Sequence, residues 1–434
     1  MDIGAISFIA FIVAMGLLVY WKRDKVEIHG PVVMARTKKF KKDIESFALK
    51  YRGFWKIYFS IGVIVAILAG LLGTGYMVFE TYNIVSGSSV PTLGLVIPYP
   101  SSEVSIRPGL VTLPPWIWLI AIIILLIPHE LSHGLALAMN KLKIKSLGLI
   151  SFFIIPGAFV EPDEKQLKKA KLWNKLQVYC AGSFSNIVTA ILLIFVFHGF
   201  IASFYSPAGA YYFIETRGFE LEKSDILELN NLSSEWIEVV SKNGTFLTNE
   251  ATLNATLNKT YILATKDLPS LRGGMPRGGA ILSIDGVKTI GPKEIDSELS
   301  KRLPGETILV ETSSGAYNIT LADRNGTGYI GINIDKGSWI FGALNPTNRQ
   351  YYEVKEGRSE QTAKSLGLLL SLTIAICLGV AIFNMFPMKP LDGGHVIDAI
   401  FGQKAAKYSS IAIFIMVLLS LGAALLINFG IMIF

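Results

Sequence analysis

The sequence predicts a multi-pass α-helical membrane protein of about six transmembrane helices, with a polar mixed α/β domain inserted between the fourth and the fifth. Three observations predict it. Of 434 residues, 51% are hydrophobic and only 17% charged, with a mean hydropathy of +0.47, which is more apolar surface than a water-soluble chain buries. Apolar runs of the roughly 20 residues that a helix needs to cross a bilayer recur along the chain. One long polar stretch, 204–360, interrupts them.

The runs are Ile3–Trp21, Ile57–Phe79, Trp116–Met139, Val178–Phe200, Leu366–Phe386 and Ile411–Phe434. Met1-Asp2 offers no positive n-region, and Lys22, Arg23 and Lys25 follow the first run, so that run reads as an anchor with its N-terminus outside rather than a cleaved signal. Counting forward places 22–56, 140–175 and 389–408 in the cytosol and 83–114 and 204–360 outside. The net charge of +7 is concentrated in short stretches such as Lys22–Lys56 and Lys165–Lys175. That placement is the positive-inside pattern of a cell-membrane protein facing lipid, not a groove for nucleic acid. Cys180 and Cys377 both fall in apolar runs, which suits packing and makes no disulfide framework.

Segment 204–360 differs in kind. Short alternating runs such as Ala280–Asp285 and Thr307–Thr312 read as strands, and Pro292–Leu303 has helical spacing. All six N-x-S/T sequons lie here, at Asn231, Asn243, Asn254, Asn258, Asn318 and Asn325, in keeping with an external location. Four parts follow: 1–56, an anchor and basic segment; 57–203; the inserted domain 204–360; and 361–434.

The third apolar run carries His129-Glu130-Leu131-Ser132-His133. Residues four apart share a helix face, so both imidazoles reach one zinc ion, and the adjacent Glu130 can serve as general base. Polar groups in a membrane helix are expensive, about 2.5 to 3.5 kcal/mol for a charge at its centre, and so mark function. Catalytic zinc keeps three protein ligands and an open position. The fifth run ends in Asn384-Met-Phe-Pro387-Met-Lys-Pro390-Leu-Asp392-Gly-Gly-His395. There the prolines stop a helix and the glycines permit close backbone approach. Asp392 is expected where the helix unwinds, a carboxylate in need of a cationic partner.

These motifs resemble the site-2 protease family of intramembrane zinc metalloproteases. The family pairs an HExxH helix with a later N-x-x-P-x-x-x-L-D-G helix, matched by Asn384, Pro387, Leu391, Asp392 and Gly393. Its intervening G-x-x-x-N motif is matched by Gly182-Ser-Phe-Ser-Asn186. The resemblance implies one catalytic Zn2+ held by His129, His133 and Asp392, with Glu130 as base. Asn384 would orient water or stabilise an oxyanion, and Asn186 would serve substrate binding or pin the helices together. His395 is not assigned to the metal. The apolar, β-rich stretch 146–160 resembles the family's membrane-associated β-hairpin, which puts Phe152, Phe153 and Ile154 in contact with an extended substrate. The external segment resembles a PDZ module over about 218–335, with 228–272 as an insertion, and would bind peptide tails. The implied substrates are transmembrane proteins, cut during regulated proteolysis or the clearance of signal remnants. Two other readings stay open: a membrane-anchored zinc peptidase cutting soluble or unfolded chains at the cytosolic face, and an inactive binding protein or chaperone that keeps the fold.

Overall fold

A computed structural model describes residues 3–21, 26–30, 32–87, 91, 93–152, 155–216, 218–232, 236–334 and 350–429. The chain divides into two compact units, one of residues 1–195 with 366–434 and the other of 196–365.

The first unit is built on helices α1 (Ile3–Trp21), α2 (Lys41–Lys50), α3 (Arg52–Val85), α4 (Pro115–Met139), α5 (Glu164–Lys169), α6 (Leu172–Phe204), α10 (Glu360–Asn384), α11 (Asp392–Phe401) and α12 (Gln403–Asn428). The helices α6 and α10 run on into the second unit, which holds α7 to α9. Among the described residues, α3, α4, α6, α10 and α12 are long and apolar enough to cross a membrane. The sixth expected span, α1, is a 19-residue helix whose described apolar stretch is Gly4–Val13. It packs on α4 through an edge-on contact of Phe11 with Trp118.

Helix α4 is anchored where it matters most. Immediately beyond the second histidine, Leu135 to Met139 join Ile44 and Ala48 of α2, Phe59 of α3, Leu167 of α5, and Val178 and Ala181 of α6 in one buried cluster. In lipid, close packing and interhelical hydrogen bonds hold helices together, because tails are as apolar as leucine. Both are present. Asn140 donates to Gln177 (3.1 Å), and Gln177 donates to Ser60 (3.0 Å), which ties α4, α6 and α3 in a relay. Glu80, buried in α3, accepts from Ser420 of α12 and from the Leu93 backbone, each at 3.2 Å. A polar group inside an apolar helix is thereby satisfied.

Strands β1 (Val26–His29), β2 (Val32–Thr37), β6 (Ile144–Phe152) and β7 (Ile155–Pro162) form an antiparallel sheet in that order. The hairpin β6–β7 follows the sequence expectation. The pairing of β2 with β6, from Val32 opposite Phe152 to Thr37 opposite Leu147, was not visible in a segment read as basic loop. Residues 83–114, also read as loop, hold β3 (Leu95–Pro98), β4 (Ser105–Arg107) and β5 (Leu110–Leu113), with β3 parallel to β5.

The second unit contains two main sheets. Strands β8 (Tyr205–Phe213), β14 (Gly278–Ile284), β16 (Thr307–Thr312), β17 (Gly315–Thr320) and β20 (Asn333–Ile334) run in the order β17-β16-β14-β8-β20, with β15 (Val287–Lys288) and β21 (Tyr351–Val354) attached. The other sheet runs β10-β11-β12-β13-β9, from β9 (Phe219–Glu222), β10 (Ile226–Asn231), β11 (Ile237–Ser241), β12 (Gly244–Thr248) and β13 (Tyr261–Lys266). It takes up most of the stretch read as an insertion. The short α7 (Glu250–Ala255) and α8 (Pro269–Arg272), the helix α9 (Pro292–Leu299), and a two-stranded ribbon of β18 (Ala322–Arg324) and β19 (Thr327–Tyr329) complete it. Alternation does the work: Ile308, Val310 and Thr312 of β16 point inward while their neighbours face out. Ile308 and Val310 meet Trp236, just before β11, and Leu247 of β12 in a single core. Asp285-Gly286 and Asn325-Gly326 turn their hairpins with positive φ at both positions, the geometry that favours Asp-Gly and Asn-Gly.

Candidate metal centre

Helix α4 puts His129 and His133 one turn apart on the same face, and their Nε2 atoms lie 3.3 Å from each other. Asp392, the first residue of α11, brings Oδ2 to 3.6 Å from both. One ligand atom from each of the three falls within 4.8 Å of the others. Ligands about 2.05 Å from a tetrahedral zinc sit about 3.3 Å apart, so the spacing fits a single ion. Two imidazoles and a carboxylate are also a donor set suited to zinc.

Local sequence explains why these atoms converge. Helix α10 stops at Asn384, and Gly393 presses against the turn that follows: a Cβ there would lie 2.1 Å from the Met385 carbonyl oxygen. Only glycine lets α11 start so close and carry Asp392 inward. On α6, Gly182 faces the two histidines, and a Cβ there would lie 2.5 Å from each Nε2. The cradle is therefore empty of protein where an ion would sit.

The surrounding hydrogen bonds aim the ligands. His133 Nδ1 donates to the Val178 carbonyl at 2.8 Å, which leaves the Nε2 lone pair facing inward. Ser183 donates to Asp392 Oδ2 at 3.3 Å. Asn186, fully buried, sets its side-chain amide 3.0 Å from His129 Nδ1. Asn384 places its amide 3.4 Å from His129 Nε2, on the open side. His395 stacks on Tyr179, with ring centroids 5.3 Å apart, and stands outside the ligand group.

A cavity of about 790 Å³ opens from these residues, lined by His129, Glu130, His133, Asn384 and Asp392, with Phe159 and Val160 of β7 opposite. Strand β7 is the outer strand of its sheet, and its Val160 lines the same cavity as Glu130. Farther along, Glu161 bonds Lys145 and Ser146 of β6 and lies 3.7 Å from Arg36 of β2. The Lys145 and Ser146 hydrogen bonds, aided by the nearby Arg36 charge, hold its carboxyl below the usual carboxylate range. That clamp ties β7 to the strands behind it.

The expected site residues are thus partly assembled. His129, Glu130, His133, Asn384 and Asp392 share the cavity wall, while Asn186 sits behind His129 and off that wall. Phe153 and Ile154 lie outside the described residues, and of Phe152 only the backbone is described, paired with Ile155. The hairpin residues that do reach the cavity are Phe159, Val160 and Pro162. Sequence reasoning missed these, although the alternation around Pro156-Gly157 marks a second strand. It also missed Ser183, one residue after the glycine it singled out.

The sequence model of Peptidase family M50 matches residues 117–423. The chain belongs to this family. Among the described residues, five of its helices are long and apolar enough to cross a membrane. Peptidases of the M50 family are zinc-dependent, and His129, His133 and Asp392 form a possible site for that ion. The M50 chain is also similar to a membrane-bound transcription factor site-2 protease homolog of Arabidopsis thaliana, at 27% identity over 156 residues. That stretch is 36% of this chain and 29% of the plant protein, so the chain matches under a third of that relative's length. All three motifs fall inside the family match. Helices α1 to α3, with β1 and β2, precede it.

Proposed function

We propose that this M50 peptidase is an intramembrane endopeptidase that hydrolyses peptide bonds in or near the transmembrane segments of other membrane proteins. The observation that carries the reading is that His129 and His133 on α4 meet Asp392, which follows directly on α10, in a cavity shared with Tyr179 of α6 and Asn384 of α10, and that α4, α6 and α10 are apolar enough to lie in lipid. His129, His133 and Asp392 would hold one zinc ion. When bound, it would polarise the scissile carbonyl and acidify a water. Glu130, its carboxylate on the cavity wall, takes the proton from the attacking water and passes it to the departing amine. Asn384 donates its amide toward the carbonyl oxygen as negative charge builds there. Ser183 and Asn186 hold Asp392 and His129 in place.

A helical substrate keeps its amides in internal hydrogen bonds and has to unwind before attack. The open edge of β7 offers replacements, since an extended peptide can add as a further strand beside Val160. The basic loops would face the cytosol and 204–360 would lie outside the cell. There a PDZ-like module would screen substrates by bulk or hold their tails. Lipid and transmembrane proteins are the partners.

The test uses the full chain in liposomes with zinc. A model transmembrane peptide and a soluble unfolded chain bearing the same target sequence are supplied separately. Cleavage of the membrane peptide, abolished in Glu130→Gln, is the expected result. Cleavage of the soluble chain alone would replace this reading with that of a surface peptidase.

A further inference from the structure

The six N-x-S/T sequons are unused by the chemistry above, and their distribution is uneven. The first unit has asparagines at 83, 140, 174, 186, 384 and 428 without one sequon, whereas all six sequons lie between Asn231 and Asn325 of the second. Every sequon asparagine is exposed. Among the described residues, none of their side-chain amides is engaged in a hydrogen bond. The neighbouring non-sequon residues are committed: Asn230 donates to Glu238, and Asn249 caps α7 by accepting from the Thr252 N–H.

Their placement in the fold is as selective. Asn243 sits in the tight turn between β11 and β12, and Asn325 opens the turn between β18 and β19 with φ 58°. Asn254 and Asn258 lie at the end of α7 and just beyond it. Asn231 ends β10 and Asn318 lies on β17, the outer strands of the two sheets. Outer strands carry unpaired backbone groups that recruit other chains, and a bulky polar substituent blocks such pairing.

We propose that the second unit is N-glycosylated, with Asn243 and Asn325 as the principal acceptors. The asparagine Nδ2 forms a bond to the anomeric carbon of an oligosaccharide. The bond from that carbon to the phosphate of a lipid-linked donor breaks, and the lipid phosphate leaves with the amide proton. The transferase is a separate enzyme on the outer side of the membrane. The proposal therefore rests on the reading that 204–360 is extracytoplasmic.

Full-length protein taken from its native membranes is digested and its peptides weighed. The peptides bearing Asn243 and Asn325 are expected to carry an oligosaccharide mass, lost in Thr245→Ala and Thr327→Ala respectively. These substitutions break the sequon without altering either asparagine, including the positive-φ Asn325. In parallel, Ser297→Cys, an exposed position in α9, is treated with an impermeant thiol reagent on intact cells. Labelling from outside with all six peptides recovered only at unmodified mass overturns the glycosylation and leaves the topology standing. Labelling only after lysis overturns both.

Discussion

Asn186 and His129 meet in a fully buried contact, amide to imidazole Nδ1, at 3.0 Å. Asn186 Oδ1 has no partner among the described residues, and turning the amide over would leave Nδ2 unpaired instead. The proton on His129 therefore decides the orientation. With Oδ1 forward, the amide accepts the Nδ1 proton and the Nε2 lone pair is free for a cation; the Nδ2 end forward favours the opposite tautomer. Asn186→Leu should weaken zinc binding about 10- to 100-fold, the range found for partners of metal-bound histidines. Asn186→Asp, which still accepts, should keep most of it. Chelator competition on the purified protein measures both, and equal affinity in all three proteins would make Asn186 a packing residue.

Two substitutions separate binding from catalysis. Glu130→Gln should retain zinc and lose at least about 100-fold in turnover, because it removes the base and no ligand. Asp392→Ala should lose zinc and activity together. Full metal occupancy in Asp392→Ala would move the third ligand elsewhere, to His395 first.

Gly182→Ala would set a methyl group 2.5 Å from both histidine Nε2 atoms. Zinc should no longer bind and melting should fall, since both imidazoles have to shift to clear a contact that close. Undiminished zinc content in this variant would mean that the ion sits elsewhere.

Glu80→Leu should destabilise the protein by about 1 to 3 kcal/mol, as the Leu93 N–H and the Ser420 hydroxyl lose their acceptor. Glu80→Gln, which still accepts, should recover most of that. Thermal unfolding in detergent distinguishes the two, and identical curves would show the contact to be idle.

Replacing 218–335 with a flexible linker should leave cleavage of short transmembrane peptides intact and raise cleavage of substrates whose external domains are still attached. Rates compared at equal zinc content check this. Loss of activity on short peptides as well would make the module part of the catalytic machine.

Much of this protein was legible in one dimension because its strongest signals are local. Lipid demands an uninterrupted apolar run, so α3, α4, α6, α10 and α12 announce themselves by composition. The i, i+4 histidines need nothing beyond the pitch of a helix to share a face. The proline and glycine signals around Asp392 marked the break between α10 and α11. Tertiary structure alone decided the rest, because it depends on partners distant in the chain. Nothing in residues 26–37 says that β2 will pair with β6 more than 100 positions later, since a strand's edge satisfies any edge of compatible register. Nor does the sequence say that Val160 comes to share a cavity wall with Glu130, or that Asn186 turns to His129 and away from the cavity. The place of Asn186 follows from how α6 packs on α4, where Gly182 leaves room beside the two histidines and Gln177 accepts from Asn140.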